Sequence, residues 1–165
     1  MDGPLFTSAS PEHYTPRIII DRVLRCWPDG IDLDPCSNAR GPEANVPAGW
    51  HYIKEDDGLS KAWRGRVYMN SPYGREIKRW VAKMVSEYEN GRTTEAIALL
   101  PGRIDTQWMA LLRDYPRCEV RGRLTFIGND APAPFPSVIV YLGARKAEFR
   151  EAFSDIGDIW ERVRC

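Results

Sequence analysis

Apolar stripes at helical spacing alternate with short apolar runs along most of the chain. In "YTPRIIIDRVLRCW", the stripe of Ile19, Ile20, Val23 and Leu24 predicts a helix, with Thr15 as N-cap and Pro16 at the first helical position. "GIDLDPC" reads as a short strand stopped by Pro35, and the Gly/Pro/Asn-rich stretch "SNARGPEANVPAGW" as a loop. "HYIKED" and "RGRVYMN" predict two further strands. "GREIKRWVAKMVSEYENG" is the clearest helix: Ile77, Trp80, Val81, Met84 and Tyr88 share one side, and Gly91 is placed to stop it. "EAIALLP" is wholly apolar, as expected of a central strand covered on both faces. "DTQWMALLRDYP" predicts a short helix capped by Asp105, and "CEVRGRLTFI" and "PSVIVYLG" two more strands around the loop "GNDAPAPFP". Residues 145–164 predict a polar helix carrying Phe149, Phe153, Ile156 and Trp160 on one side.

This alternation implies an α/β fold with a mostly parallel central sheet, helices on both faces and an antiparallel edge near the end of the chain. Residues 1–13 read as a flexible N-terminal arm and residues 14–165 as a single domain. In such folds ligands bind at the C-terminal ends of the strands. "DLDPC", "YMNSPYG" and "LLPGRID" place polar residues at three of those ends.

Charge sharpens the picture. The formal net charge is zero, which argues against a protein that simply coats nucleic acid. Residues 29–57 nevertheless hold seven acids against Arg40 and Lys54, and residues 61–83 hold seven bases against Glu76 alone. The first segment suits a cationic, hydroxyl-rich ligand and the second suits phosphates, although two ordinary solvated faces would read the same way. Four scattered cysteines and two histidines have no metal-site or disulfide spacing, so free thiols and no metal are expected. No apolar run is long enough to cross a bilayer, and the first ten residues carry no signal-peptide pattern, so a cytoplasmic protein is expected.

The tetrapeptide Asn70-Ser71-Pro72-Tyr73 is more than a turn needs. The amino nitrogen of a nucleobase is a poor nucleophile because its lone pair is delocalised into the ring. The Asn70 side-chain oxygen and the Ser71 carbonyl can accept its two N–H bonds and favour a more pyramidal nitrogen. Tyr73 can stack on a base turned out of the helix, and Pro72 keeps the loop rigid so that the acceptors are aligned in advance. No strong general base stands near the motif, and none is required if the proton leaves after the methyl arrives.

"NSPY" resembles the Asn-Pro-Pro-Tyr motif of amino-methyltransferases that use S-adenosylmethionine. With "YTP", "DLDPCSN", "DDGL", "LLPGRIDTQW", "GRLTF" and "APFPSVIVYLG", in that order over residues 14–143, the chain resembles the small bacteriophage-type DNA adenine-N6 methyltransferases. The resemblance implies an abbreviated Rossmann-like methyltransferase fold and S-adenosyl-L-methionine as cofactor. It also implies double-stranded DNA as partner, with the target base flipped out, and a bacterial host or phage-infected cell as the setting. It assigns Asn70, Ser71, Pro72 and Tyr73 to catalysis, Thr15, Pro16, Asp34, Pro35, Cys36 and Asp57 to the cofactor, and Arg103 and Asp105 to the substrate. The sequence departs from the family pattern in having Ser71 where proline is usual, and in lacking the FxGxG loop of larger relatives, whose place "DPCSNARG" would take. Taken from the residues alone, Cys36 is a small packing residue and Asp57-Gly58 an ordinary turn. Cytosine-N4 in DNA, a protein glutamine amide, or binding without turnover remain readings of the same residues.

Overall fold

A computed structural model describes residues 13–165, and the expected arm lies outside the described residues except for His13. Seven strands form one sheet: β1 (Ile31–Asp34), β2 (Ala48–His51), β3 (Gly65–Met69), β4 (Thr93–Pro101), β5 (Arg117–Val120), β6 (Ser137–Leu142) and β7 (Gly157–Trp160). Their spatial order is β2-β1-β3-β4-β6-β5-β7. Among the described residues four α-helices accompany it: α1 (Arg17–Cys26), α2 (Ile77–Glu89), α3 (Gln107–Ala110) and α4 (Lys146–Phe153).

Strand alternation explains the two cores. Tyr68, Ile97, Leu99, Ile139 and Tyr141 face one side, where Ile19, Val23, Phe149 and Phe153 of α1 and α4 cover them. Val67, Met69, Ala96, Ala98, Leu100, Val138 and Val140 face the other, under Trp80, Val81 and Met84 of α2 and Trp108 of α3. Apart from Thr94, every residue of β4 is buried, as its apolar run requires of a strand covered on both faces.

The expectation of a mostly parallel sheet needs correction. The β1–β2, β1–β3 and β3–β4 pairs are parallel, but β4–β6, β5–β6 and β5–β7 are antiparallel. The reason lies in chain return. β6 follows β5 through a loop that contains no helix, and it inserts antiparallel between β4 and β5, pairing Ala96 with Leu142 through Pro101 with Ser137. A parallel neighbour would have required a crossover along one face of the sheet, usually a helix, and residues 121–136 form none.

The tail also differs from the helix expected over 145–164. α4 ends at Phe153, and the chain turns to add β7 to the edge at β5, pairing Val120 with Gly157. A Cβ at Gly157 would collide with Cys118 Sγ and the Glu119 carbonyl oxygen, so glycine permits this close edge pairing. Residues 54–60, partly expected in a strand, instead form two short 3-10 turns, Lys54–Asp56 and Gly58–Ser60.

Two caps are shifted by one residue. Pro16, not Thr15, is the N-cap of α1, because the Thr15 hydroxyl is engaged elsewhere. Thr106, not Asp105, caps α3: its Oγ1 accepts from the Met109 amide at 3.3 Å and donates to the Arg103 carbonyl at 2.8 Å. Thr106→Ala is accordingly expected to cost ~1 kcal/mol in denaturant unfolding, and Asp105→Ala almost nothing. Equal losses in the two variants would refute this assignment.

Candidate active site

Strands β1 and β3 are parallel neighbours, with Leu33 opposite Val67, so Asp34 and Asn70 leave the same edge of the sheet side by side. A cleft of about 590 Å³ opens there, a volume suited to a small organic ligand. It is lined by Thr15 ahead of α1, by Asp34, Pro35 and Cys36 after β1, by Asp57 and Gly58, and by Asn70, Ser71 and Pro72 after β3.

Each wall has a local cause. Pro35 stops β1, and the turn closes with the Cys36 amide donating to Asp34 Oδ1 at 3.0 Å. The Tyr52 amide donates to the Asp34 carbonyl at 3.0 Å, and the Ser37 amide to the Tyr52 carbonyl at 2.9 Å, tying the 52–58 segment to the end of β1. Asp57 takes a left-handed conformation (φ 52°), which brings Gly58 under the Pro35 turn. A Cβ on Gly58 would collide with the Pro35 carbonyl oxygen and come within 3.2 Å of the Trp80 ring. Asp57 itself is exposed at the cleft, with Lys54 and Glu55 beside it.

Asp34 is 4% exposed, and among the described residues it has no ion-pair partner. Burial pushes its carboxyl up to about 7, against the opposing pull of the Cys36 amide. The neighbouring Cys36 thiol is also pushed up, by burial and by Asp34, and therefore stays neutral and unreactive.

Asn70 is held from one side only. Its amide nitrogen donates to the His13 carbonyl at 2.7 Å and to Thr15 Oγ1 at 3.1 Å. The His13 carbonyl can only accept, so the nitrogen must be the atom that faces it and the amide orientation is determined. Asn70 Oδ1 is left buried without a hydrogen-bond partner. An unsatisfied buried acceptor is costly and calls for a donor. Ser71 is 2% exposed and its hydroxyl is unpaired as well.

The other expected residues lie apart from the cleft lining. Tyr73 is half-buried beside it, its ring 5.4 Å from Phe135, 6.2 Å from Phe126 and 5.1 Å from His13. Its hydroxyl is buried and unpaired, and burial drives its pKa far above the usual tyrosine range. Pro16 is buried at the start of α1, and Arg103 and Asp105 are exposed beyond β4. Sequence reasoning missed Asn38, Asn45 and Trp80 in the lining. Asn45 had no readable signal, because its role depends on a 3.2 Å bond from its amide nitrogen to the distant Thr15 carbonyl.

The charged segments divide once folded. Asp56 pairs with Arg40 and Asp32 accepts from the Arg66 amide, which leaves Glu55 and Asp57 with Asp34 at the cleft. In the basic stretch Arg66, Arg79 and Lys83 pair with acids, while Arg75 and Lys78 are exposed with no ion pair among the described residues.

No curated protein matches the chain. A family model does: that for DNA N-6-adenine-methyltransferase (Dam) matches residues 11–137, a span that runs from the segment pinning Asn70 to the first residue of β6 and takes in the whole cleft. The chain therefore belongs to the DNA N-6-adenine-methyltransferase family.

Proposed function

We propose that this enzyme, which methylates the N6 amino group of adenine in DNA at the expense of S-adenosyl-L-methionine, does so through Asn70 and Ser71 at the end of β3. The observation that carries the assignment is the unpaired Asn70 Oδ1, buried at the cleft while its own nitrogen is pinned. Asn70 Oδ1 and the Ser71 carbonyl accept the two N–H bonds of the adenine amino group. This holds the nitrogen lone pair out of conjugation and aims it into the cleft. Pro72 keeps the two acceptors aligned before substrate arrives.

The cofactor fits the residues present. When bound it supplies an electrophilic methyl group on a positively charged sulfur. Asp34, buried and lacking an ion-pair partner among the described residues, would hold its positive charge, and Asp57, exposed at the same cleft, would accept hydrogen bonds from its base or ribose. Thr15, Pro35 and Cys36 complete the lining. The sheet is read as an abbreviated Rossmann-like methyltransferase fold, supported by the parallel β2-β1-β3-β4 half with its cleft at the strand ends.

The target adenine is flipped out of double-stranded DNA, because an amino group inside the stack cannot reach a buried amide oxygen. The half-buried ring of Tyr73 offers its open part as a stacking surface. Arg75 and Lys78, without ion-pair partners among the described residues, are assigned to phosphates along with Arg103, while Asp105 borders the substrate side.

The reading is tested by incubating DNA with protein and methyl-labelled cofactor, digesting to nucleosides and weighing them. Labelled N6-methyl-2′-deoxyadenosine is the expected product, and methylated deoxycytidine alone, or no labelled nucleoside, would overturn the assignment. A second expectation concerns Tyr73. Its hydroxyl has no partner to lose, so Tyr73→Phe should change turnover less than about threefold and leave the melting temperature unchanged or slightly raised. Tyr73→Ala should weaken base capture by ~1–3 kcal/mol in steady-state assays.

A further inference from the structure

We infer that Tyr68 and Thr15 form a positioning pair that holds the Asn70 amide in one orientation, its nitrogen engaged and its oxygen left to accept, an inference that rests on Asn70 being the acceptor for the target amino group. Tyr68 and Asn70 are two residues apart at the end of β3, so their side chains leave the same face of the sheet, the face covered by α1. Thr15 lies just ahead of α1 and meets both. Its Oγ1 is 2.9 Å from the Tyr68 hydroxyl and receives the Asn70 amide at 3.1 Å. Thr15 and Tyr68 are each 1% exposed, so water does not compete for these bonds.

The arrangement removes the alternative orientation of the amide. A flipped Asn70 would present its NH2 to the cleft, donor against donor toward an incoming amino group. It would also set its oxygen against the His13 carbonyl, which cannot donate. A threonine hydroxyl alone could support the flipped form by turning its proton toward Asn70. Donation from Thr15 to Tyr68 opposes that turn, because it commits the one Thr15 proton and leaves a lone pair of Thr15 Oγ1 to accept from Asn70. Tyr68 does not line the cleft, and its side-chain hydrogen bond runs to Thr15, which does. The pair therefore gives a hydroxyl in the core a role in the reaction.

The test uses the full chain with duplex DNA and S-adenosylmethionine, and compares Tyr68→Phe, Thr15→Val, Thr15→Ser and Asn70→Ala. Tyr68→Phe is expected to lower kcat roughly three- to tenfold, the range one net hydrogen bond is worth, and Thr15→Val at least as much. Thr15→Ser should restore most of the turnover. The Kd of Tyr68→Phe for S-adenosylhomocysteine should stay close to wild type, while its melting temperature falls by the few degrees that one buried hydrogen bond costs. On the Asn70→Ala background, Tyr68→Phe should cause no further loss of kcat, because the group it positions is gone. An additive loss there, or a fall in cofactor-product affinity that parallels kcat, would show a merely structural role and overturn the inference. Crippled Asn70→Ala alongside unimpaired Tyr68→Phe would overturn the positioning pair alone. Full turnover by Asn70→Ala would overturn the reading of Asn70 and the pair with it.

Discussion

Replacing Asn70 by alanine is expected to cost ~2–4 kcal/mol of transition-state stabilisation, a fall in kcat of roughly thirty- to a thousandfold, while the cofactor still binds. The size follows from what is removed. Asn70 Oδ1 is buried, unpaired and held by two bonds from its own nitrogen, so it is ordered before substrate arrives. A pre-aligned acceptor aimed at the reacting nitrogen acts most strongly when that nitrogen becomes pyramidal, which is in the transition state and not in the ground state. Single-turnover methylation at saturating DNA and cofactor measures the chemical step, and calorimetry with S-adenosylhomocysteine measures the cleft. Unchanged single-turnover rates would remove Asn70 from the mechanism. A loss confined to cofactor affinity would move it to the cofactor wall.

The second large effect is a dependence of cofactor affinity on pH, set by Asp34. Burial raises its carboxyl from 3.8 to about 7 in the free protein. The sign for folding follows directly: the folded chain prefers the protonated acid. Stability is therefore highest below the unfolded value, declines as pH rises toward about 7, and is flat beyond it. A cation in the cleft needs the ionised form. Below about 7 each binding event must first release a proton, so affinity should rise about tenfold per pH unit between pH 5 and the raised pKa, then level off. Titrations at several pH values, in buffers of different ionisation enthalpy, read both the slope and the proton released. Asp34→Asn should flatten the profile and bind ~1–3 kcal/mol more weakly at pH 8. His13 also lines the cleft, and this variant separates its contribution from that of Asp34. A flat wild-type profile would show that Asp34 does not meet the cofactor's charge.

Much of the site was legible before the fold was known, because strand ends can be read locally. Asp34 stands before Pro35 at the end of one apolar run, and Asn70 before Ser71-Pro72 at the end of another. In a sheet whose β1 and β3 are parallel neighbours, those two ends meet. The α2 stripe and the apolar run of β4 were equally plain, since 3.6-residue periodicity and two-sided burial leave their mark within a few residues. Thr15 was read as a helix cap, because its neighbours are helix-starting residues, and by resemblance as a cofactor contact. Its true partners, Tyr68 and Asn70, lie 53 and 55 residues further on.

The sequence by itself determined which segments would be apolar on one face or two, where they would stop, and which polar groups would stand at those stops. It also carried the match to the adenine methyltransferase family over residues 11–137. Only the tertiary structure decided that β6 would insert antiparallel between β4 and β5, and that the chain after Phe153 would leave its helix to pair as β7. Only the tertiary structure seats Tyr73 among His13, Phe126 and Phe135. The same holds for the raised Asp34 carboxyl and the unpaired oxygen of Asn70. The physical reason is one of range. Periodicity, turns and stops are set by residues a few positions apart, whereas desolvation, strand order and the identity of a hydrogen-bond partner are sums over groups that meet only once the chain has closed on itself.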